Sequence, residues 1–287
     1  MKRLIVTADD FGLAVPVNAA VETGHRQGIL TAASLMVSAP AAADAVERAQ
    51  RMPRLGVGLH LVLVDGRPTL PPEQVSELVG SDGCFLRNLW IAGVRIYCSA
   101  LARRQAESEM RAQLQAFRET GLALDHVNAH HHFHLHPTVF GLLVRLAPEF
   151  GIRAIRVPRE PPILAWRATG TGLAARLANW VFQARRTARM TRRLRAAGIA
   201  CNDRILGLGD SGAMGPERVR RYLAALPDGV SELYVHAATE RWRGPGAWPP
   251  EYDARGEFEA LVDRSVVALV RGGGIEAIPF AALTAPT

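Results

Sequence analysis

The chain has 287 residues, 48% of them hydrophobic, which suits one large α/β domain or two small ones and excludes a disordered chain. Because it contains no run of about 18 apolar residues, we expect no transmembrane helix. The net charge of +7 is compatible with binding to nucleic acid, with binding to an anionic membrane surface, or with no specific partner. The position of the charge along the chain is more informative than its total.

The first predicted element is a buried strand at residues 4–8, and two adjacent acids, Asp9 and Asp10, follow it directly. The apolar run ends there, so it is too short for a signal peptide, and three scattered cysteines indicate a reducing compartment. We therefore expect a cytoplasmic protein. A helix N-cap with a neighbouring turn explains one aspartate after a strand but explains two poorly, which favours a functional role for the pair.

A second polar residue at a strand end is His60. The elements that lead to it are helices at 15–27 and 41–51 and strands at 31–38 and 55–61. A single histidine on an apolar strand is more often packed than ligating, but its position at a strand end, like that of the aspartates, favours a ligand. Residues 65–88, rich in proline, glycine and aspartate, predict a long loop that can act as a lid. An amphipathic helix at 105–120, with Glu109 on a wet face, is predicted after it.

Six of the nine histidines lie in one stretch of eleven residues, from His126 to His136, which makes this stretch a candidate metal site. A strand is predicted before it at 122–127, and Pro137 is predicted to begin the next helix, which ends at residue 150. The histidines therefore lie where a strand ends and a helix begins. They cannot all bind one metal, so most of them would orient ligands, contact substrate or simply pack.

Two arginines follow the histidine run. A predicted strand at 152–157 ends with Arg156, and Arg159 lies in the proline-rich segment after it. Arginines at a strand end favour binding of a polar substrate, whereas a rigid proline loop explains the segment equally well.

A predicted helix at 173–197 is basic and amphipathic. Its first half is rich in apolar residues, and its second half carries Arg185, Arg186, Arg189, Arg192, Arg193 and Arg195. Such a helix is typical of contact with an anionic surface, and a solvated helix face is the alternative.

The remaining predicted elements continue the alternation: strands at 204–208, 230–235 and 274–278, and helices at 216–225 and 258–270. This pattern predicts an α/β fold, a distorted (β/α) barrel with mostly parallel strands, as a single domain over residues 1–287. The C-terminal ends of barrel strands converge on one mouth. We therefore expect that mouth to hold the strand-end residues Asp9, Asp10, His60, His130 and His236.

Two histidines and one carboxylate make a facial set of metal ligands with open positions for water or substrate. The second carboxylate is then free to act as a base. Such a set is typical of a metal-dependent hydrolase, with its metal at the C-terminal ends of the strands.

Three spaced motifs resemble the YdjC-like carbohydrate deacetylases: residues 7–12 (TADDFG), 58–61 (GLHL) and the histidine run at 126–137. The resemblance covers nearly the whole chain. Three longer phrases look like the hopanoid-biosynthesis-associated branch of that family, known as HpnK; they are residues 31–37 (TAASLMV), 127–130 (VNAH) and 157–161 (VPREP).

The resemblance implies a distorted barrel and one divalent metal cation held by Asp10, His60 and His130, with Asp9 as the catalytic base and His236 as the acid. Mixed nitrogen and oxygen ligands leave Zn, Mn, Co, Ni or Mg open. Many members of the family have aspartate where this chain has Asn128. Because asparagine carries no charge, any role of Asn128 must rest on hydrogen bonds. Expected substrate contacts are Asn128, His132, His134, Arg156 and Arg159.

The family resemblance implies removal of an acetyl group from an acetamido sugar, and the HpnK-like phrases imply the N-acetylglucosaminyl headgroup of a hopanoid. We therefore expect a lipid-linked substrate and an enzyme that can be peripheral at the inner face of the cytoplasmic membrane. We expect no nucleic-acid partner, and the oligomeric state stays open. The alternatives are deacetylation of a soluble N-acetylglucosamine oligosaccharide, a metal-dependent phosphoesterase, or a non-catalytic sugar- or metal-binding protein.

Overall fold

One parallel sheet organises the chain. The structure is a computed structural model that describes residues 1–284 except 245 and 247, so residues 285–287 of the predicted domain lie outside it. The strands are β1 (Lys2–Phe11), β2 (Ala32–Leu35), β3 (Gly56–Leu61), β4 (Val127–Ala129), β5 (Arg204–Leu206), β6 (Gly229–Val235) and β7 (Ile275–Ala277). Their spatial order is β4-β3-β2-β1-β6-β5, and β7 pairs with the first residues of β1.

Helices alternate with these strands, as parallel connections require. They are α1 (Val15–Gln27), α2 (Ala42–Gln50), α3 (Leu89–Cys98), α4 (Ala100–Glu119), α5 (Pro137–Phe150), α6 (Pro162–Thr169), α7 (Leu173–Ala196), α8 (Pro216–Ala224), α9 (Ala254–Val262) and α10 (Arg264–Gly272). Among the residues described, each helix is too short or too polar to cross a bilayer.

The strand β1 lies at the centre of the sheet. It pairs with β6 on one side and with β2 and β7 on the other. Leu4, Ile5 and Val6 are fully buried, as expected for a parallel strand covered on both faces. Burial of each such side chain contributes roughly 1.5–3 kcal/mol. Asp9 and Asp10 therefore lie near the C-terminal end of a strand that is buried on both faces, and this strand extends beyond the predicted residues 4–8.

The barrel prediction is confirmed in part, as an α/β fold with a curled, all-parallel, half-barrel sheet. Beyond β4, single bridges join Val127 to Ile155 and Ala154 to Ala200, but the regular ladder stops at β4 on this side.

The predicted strand at 152–157 is wrong as a continuous strand. The side-chain amide of Asn202 accepts a hydrogen bond from the Val157 N–H at 2.8 Å and donates to the Val157 oxygen at 3.0 Å. A side chain thus takes the place of a neighbouring strand there. Pro158 then lacks the N–H that a ladder would need.

Several other elements also differ from the sequence prediction. The strand before the histidine run begins at Val127, so residues 122–126 lie outside it. The predicted helix 258–270 is two helices, α9 and α10, because the Asp263 side chain accepts hydrogen bonds from the first N–H groups of α10. The helices α3 and α6 were not predicted.

The segment 65–88 is packed against α4. Glu109, which the sequence placed on a wet face, is fully buried, and its carboxylate accepts hydrogen bonds from the N–H groups of Thr69 at 2.8 Å and Leu70 at 3.0 Å. Phe85 from the same segment is also buried. The prediction for Glu109 is therefore wrong, because two backbone donors of the loop compensate the burial of its charge.

Candidate metal centre

Three side chains at the C-terminal ends of β1, β3 and β4 meet in a buried cluster. Asp10 Oδ1 lies 3.1 Å from His60 Nε2 and 3.0 Å from His130 Nδ1. One ligand atom from each residue lies within 4.8 Å of the other two. One carboxylate oxygen that faces two imidazole nitrogens is the donor set expected for a divalent transition metal.

Hydrogen bonds fix the tautomer of His60. Asn128 Nδ2 donates to the Asp9 carboxylate at 3.0 Å, so its Oδ1 must face His60, where the distance to Nδ1 is 2.6 Å. Because an amide oxygen can only accept, Nδ1 of His60 carries the proton, and the lone pair of the neutral ring is on Nε2. This Nε2 is buried and has no hydrogen-bond partner among the described residues, because the Asp10 oxygen 3.1 Å away is itself an acceptor. The residues present therefore fit a metal ion, since the orphaned nitrogen points into the cluster.

The backbone at the cluster is strained. Asp10, Asp65, His131 and His132 have φ angles of 60°, 46°, 52° and 51°, and they are the positive-φ residues other than glycine in the described part of the chain. Such conformations cost of order 1–3 kcal/mol each and persist where the surroundings fix them, often at functional sites. All four residues belong to the cluster or lie next to it, which favours a functional role for this region.

Asp9, the other acid of the pair, is bound by arginine. Arg156 donates from Nη1 to Oδ2 at 2.6 Å and from Nη2 to Oδ1 at 2.9 Å, and Asn128 adds a donor on Oδ1. Burial alone would raise the pKa of Asp9, but the charge and the hydrogen bonds of Arg156 outweigh it and hold the pKa well below its usual range. Asp9 is therefore ionised at neutral pH, and Oδ2, with one donor, keeps an acceptor position free.

Arg156 is fully buried between two acids. Its Nε and Nη2 also donate to Glu232 Oε1 at 2.9 and 2.6 Å, and Glu232 accepts a further bond from the Thr7 hydroxyl at 2.8 Å. The expected substrate contact by Arg156 finds no support in this geometry. The side chain instead positions Asp9.

His236 follows β6 and faces the cluster from the opposite side. Its Nε2 lies 4.0 Å from Asp10 Oδ2, and the Ser211 hydroxyl lies 3.1 Å from its Nδ1. The rings of Trp248 and Tyr252 flank it at 5.9 and 5.7 Å. Trp248 Nε1 donates to Asp10 Oδ2 at 2.7 Å, so this indole fixes the carboxylate oxygen that the two histidines leave free.

The other histidines of the run have different surroundings. Burial, followed by the charge of Arg156, lowers the pKa of His134 to about 3, and its Nε2 lies 3.0 Å from the Arg156 backbone oxygen. His134 thus supports the backbone of Arg156 from a fully buried position. His132 packs against the Tyr234 ring with centroids 5.3 Å apart, and His126 lies behind the site, 3.0 Å from the Ser34 hydroxyl.

A cavity of about 320 Å³ opens onto His130. Its walls combine apolar side chains with charged ones from the segment 65–88, among them Leu13, Met36, Val62, Asp65, Arg67 and Arg87. Arg159 is not part of it, because this exposed side chain lines a separate cavity beside α6 and α7. The expectation that Arg159 contacts a substrate at the cluster therefore finds no support.

The sequence analysis did not identify several residues of the site. Glu232 could have been recognised from the sequence, because it is a charged residue within a buried strand and burying an unpaired charge is energetically unfavourable. Trp248 and Ser34 could not, because their roles depend on contacts with residues far away in the chain. The arrangement as a whole brings a candidate cation site, an ionised carboxylate and the partly accessible imidazole of His236 close together, and a cavity opens onto one member of the cation site, His130.

Known protein families and solved structures include relatives of this chain. A family model described as YdjC-like protein matches residues 3–271. A carbohydrate deacetylase of Brevibacillus brevis is 38% identical over 162 residues, which cover 56% of this chain and 60% of that protein. A chitooligosaccharide deacetylase of Salmonella schwarzengrund is 33% identical over 160 residues, covering 55% and 60%. The chain thus matches about 60% of the length of these relatives.

A solved structure from Enterococcus faecalis V583, provisionally described as a cellobiose-phosphate cleavage protein, superposes with a TM-score of 0.76. The superposition covers 98% of both chains at 23% sequence identity. At this identity the likeness establishes a shared fold and nothing about activity.

Proposed function

The chain belongs to the family of YdjC-like proteins, and on this basis we propose that it is a metal-dependent hydrolase that removes the N-acetyl group from an acetamido sugar. The observation that carries the proposal is the cluster of Asp10, His60 and His130, with an orphaned ligand nitrogen beside an ionised Asp9. Relatives described as carbohydrate and chitooligosaccharide deacetylases support the reaction class.

In the proposed site, Asp10, His60 and His130 hold one divalent cation. The chemistry supplied there when the cation is bound is Lewis-acid polarisation of the amide carbonyl. Asn128 keeps His60 in the tautomer that presents Nε2, and Trp248 keeps Asp10 turned toward the two histidines. Mixed nitrogen and oxygen donors suit Zn, Mn, Co or Ni, and Mg less well.

Two residues move protons in this proposal. Asp9 accepts the proton of the attacking water at Oδ2, the oxygen with a free acceptor position, while Arg156 keeps the carboxylate ionised and oriented. His236 donates a proton to the leaving nitrogen from the other side of the cluster, 4.0 Å from Asp10. An acid is needed because an amine anion is too basic to leave without a proton.

A more specific proposal concerns the identity of the substrate and the place where the enzyme encounters it. The HpnK-like phrases at 31–37, 127–130 and 157–161 support an N-acetylglucosaminyl headgroup carried by a hopanoid, at the inner face of the cytoplasmic membrane. The alternative substrate is a soluble N-acetylglucosamine oligosaccharide, the class of substrate after which the chitooligosaccharide deacetylase of Salmonella is named.

One observation keeps a phosphoesterase as the second candidate function. Asp65, His130 and His131 form another group whose ligand atoms lie within 4.8 Å of one another, as a second metal would require. Two of its members are at least partly exposed, in contrast to the fully enclosed first cluster.

The test is acetate release from N-acetylglucosaminyl hopanoid and from chitooligosaccharide, measured for the wild type and for Asp9→Asn. We expect release from the lipid-linked sugar and a loss of turnover of about 10²–10⁴ in the variant, with metal content unchanged. Release of phosphate from sugar phosphates without any acetate would overturn the proposal. Near-normal turnover of Asp9→Asn would remove Asp9 from the mechanism.

A further inference from the structure

The short helix α3 exposes an apolar face. Trp90, Val94 and Tyr97 are 77%, 59% and 62% exposed, and Ile91 is exposed as well. Single exposed apolar residues are ordinary, but a contiguous patch on one helix marks a contact surface. The helix begins at Leu89, and Arg87, just before its N-cap residue Asn88, lines the cavity next to His130. The apolar face therefore lies near the entrance of the proposed site.

The long helix α7 exposes a second apolar group beside a basic one. Trp180, Val181 and Phe182 are 41%, 66% and 67% exposed. The helix contains seven arginines and no acidic residue. One of them, Arg176, is bound to buried acids, whereas Arg185, Arg186, Arg189 and Arg192 are exposed. The charge of this helix is thus not balanced by acids of its own.

His136 connects the two helices. Its ring lies edge-on to Tyr97 of α3, with centroids 6.2 Å apart, and packs against Gly93. Burial, followed by the charge of Arg186 on α7, lowers the pKa of His136. Arg193 of α7 also lies over the Phe140 ring of α5, 5.5 Å from its centroid, so α3 and α7 both lie beside the first turns of α5.

We propose that α3 and α7 together form a docking surface for an anionic phospholipid bilayer. The aromatic and aliphatic side chains would enter the interface between headgroups and acyl chains, while the arginines contact the headgroups. A second copy of this chain fits less well, because pairing of this surface with itself would bring unbalanced arginines together. The surface is independent of the metal chemistry, and if the proposed lipid-linked substrate is correct, docking would bring the cavity beside α3 to the membrane.

Co-sedimentation with vesicles tests the proposal. Full-length protein is mixed with vesicles of phosphatidylglycerol and phosphatidylcholine, or of phosphatidylcholine alone, at low and high salt. We expect binding to the anionic vesicles that is at least tenfold stronger than to the neutral ones and that falls as salt increases. The charge reversals Arg185→Glu, Arg189→Glu and Arg192→Glu together, or Trp90→Ser with Val94→Ser, should abolish most of it.

A charge-matched control comes from exposed arginines outside α3 and α7. Reversal of Arg54, Arg264 and Arg271, which are also exposed, changes the net charge by the same amount and should leave vesicle binding intact. Equal loss in this control, no binding by the wild type, or a dimer in solution that shields Trp90 would overturn the proposal. Acetate release from a soluble acetamido sugar is measured in parallel, so a failed docking surface and a failed deacetylase proposal give different results. Circular dichroism of each variant establishes that it is folded.

Discussion

Asn128 forms hydrogen bonds with both functional parts of the site, the proposed metal ligand His60 and the proposed base Asp9. Its amide oxygen faces His60, and its amide nitrogen donates to Asp9 and to the Ser34 hydroxyl at 2.8 Å. All three hydrogen bonds are buried. An aspartate here, as many family members are expected to have, would lose the two donor bonds and place a second negative charge beside Asp9. The amide therefore suits a site in which Asp9 stays ionised.

We expect Asn128→Ala to weaken metal binding by about 10–100-fold, because the residue that holds a ligand histidine in its tautomer is lost. Isothermal titration of the metal-free protein with Zn²⁺ measures this. The Arg156–Asp9 pair does not include Asn128, so the fold should persist in the variant. Unchanged affinity would show that His60 needs no such orientation.

His134 makes stability depend on pH. Folding lowers its pKa from 6.5 to about 3, so below pH 6.5 the unfolded chain binds the proton more readily. The stabilisation associated with His134 is therefore complete above pH 6.5 and is lost as the pH falls from there toward 3, by at most about 1.4 kcal/mol per pH unit.

We expect the free energy of unfolding, measured by urea denaturation, to fall between pH 6.5 and 4.5. His134→Gln should reduce this slope, because the amide can still donate to the Arg156 oxygen but does not titrate. The same slope in the variant and in the wild type would assign the pH dependence to other groups.

At the scale of elements, alternation and strand ends predicted most of the architecture. The helix α1 has the predicted bounds, 15–27, and β6 and β7 lie within a residue or so of their predictions. The rule that parallel strand ends converge brought Asp9, Asp10, His60, His130 and His236 together. Residue types and positions thus predicted which residues meet at the strand ends, whereas the choice of Asp10, His60 and His130 as metal ligands came from the family resemblance and stays a prediction.

Two elements differ from the sequence prediction for physical reasons that the sequence pattern does not contain. The helix α3 is apolar on its exposed side, so its sequence has no amphipathic pattern that separates core from solvent. The strand at 152–157 is interrupted because the Asn202 side chain, distant in the chain, takes its hydrogen bonds. Local patterns contain no information on such long-range partners.

The packing of the segment 65–88 gives a prediction at this scale. Glu109→Ala removes the acceptor for the Thr69 and Leu70 N–H groups, so we expect faster hydrogen exchange across 65–88 and a higher KM for the acetamido sugar. Glu107→Ala on the same helix removes only ion pairs with Arg111 and Arg145, and it serves as the control. Equal exchange in the two variants would contradict a role of Glu109 in holding this loop.

At the scale of the whole molecule, the distribution of charge corresponds to the two proposed activities, docking on an anionic membrane and binding of a cation. The net charge of +7 is concentrated where α7 contributes seven arginines, whereas the metal cluster is lined by the buried acids Asp9 and Asp10. The exposed arginines of α7 thus face outward, whereas the Asp10 carboxylate, where a cation would bind, is buried.

The central claim is one divalent metal held by Asp10, His60 and His130. Elemental analysis by mass spectrometry of purified protein tests it most directly. We expect one divalent ion per wild-type chain, close to none in His60→Ala and His130→Ala, and an unchanged content in His136→Ala, whose ring lies in the same run but packs against Tyr97. A full metal content in His60→Ala, or two ions per wild-type chain, would contradict the account.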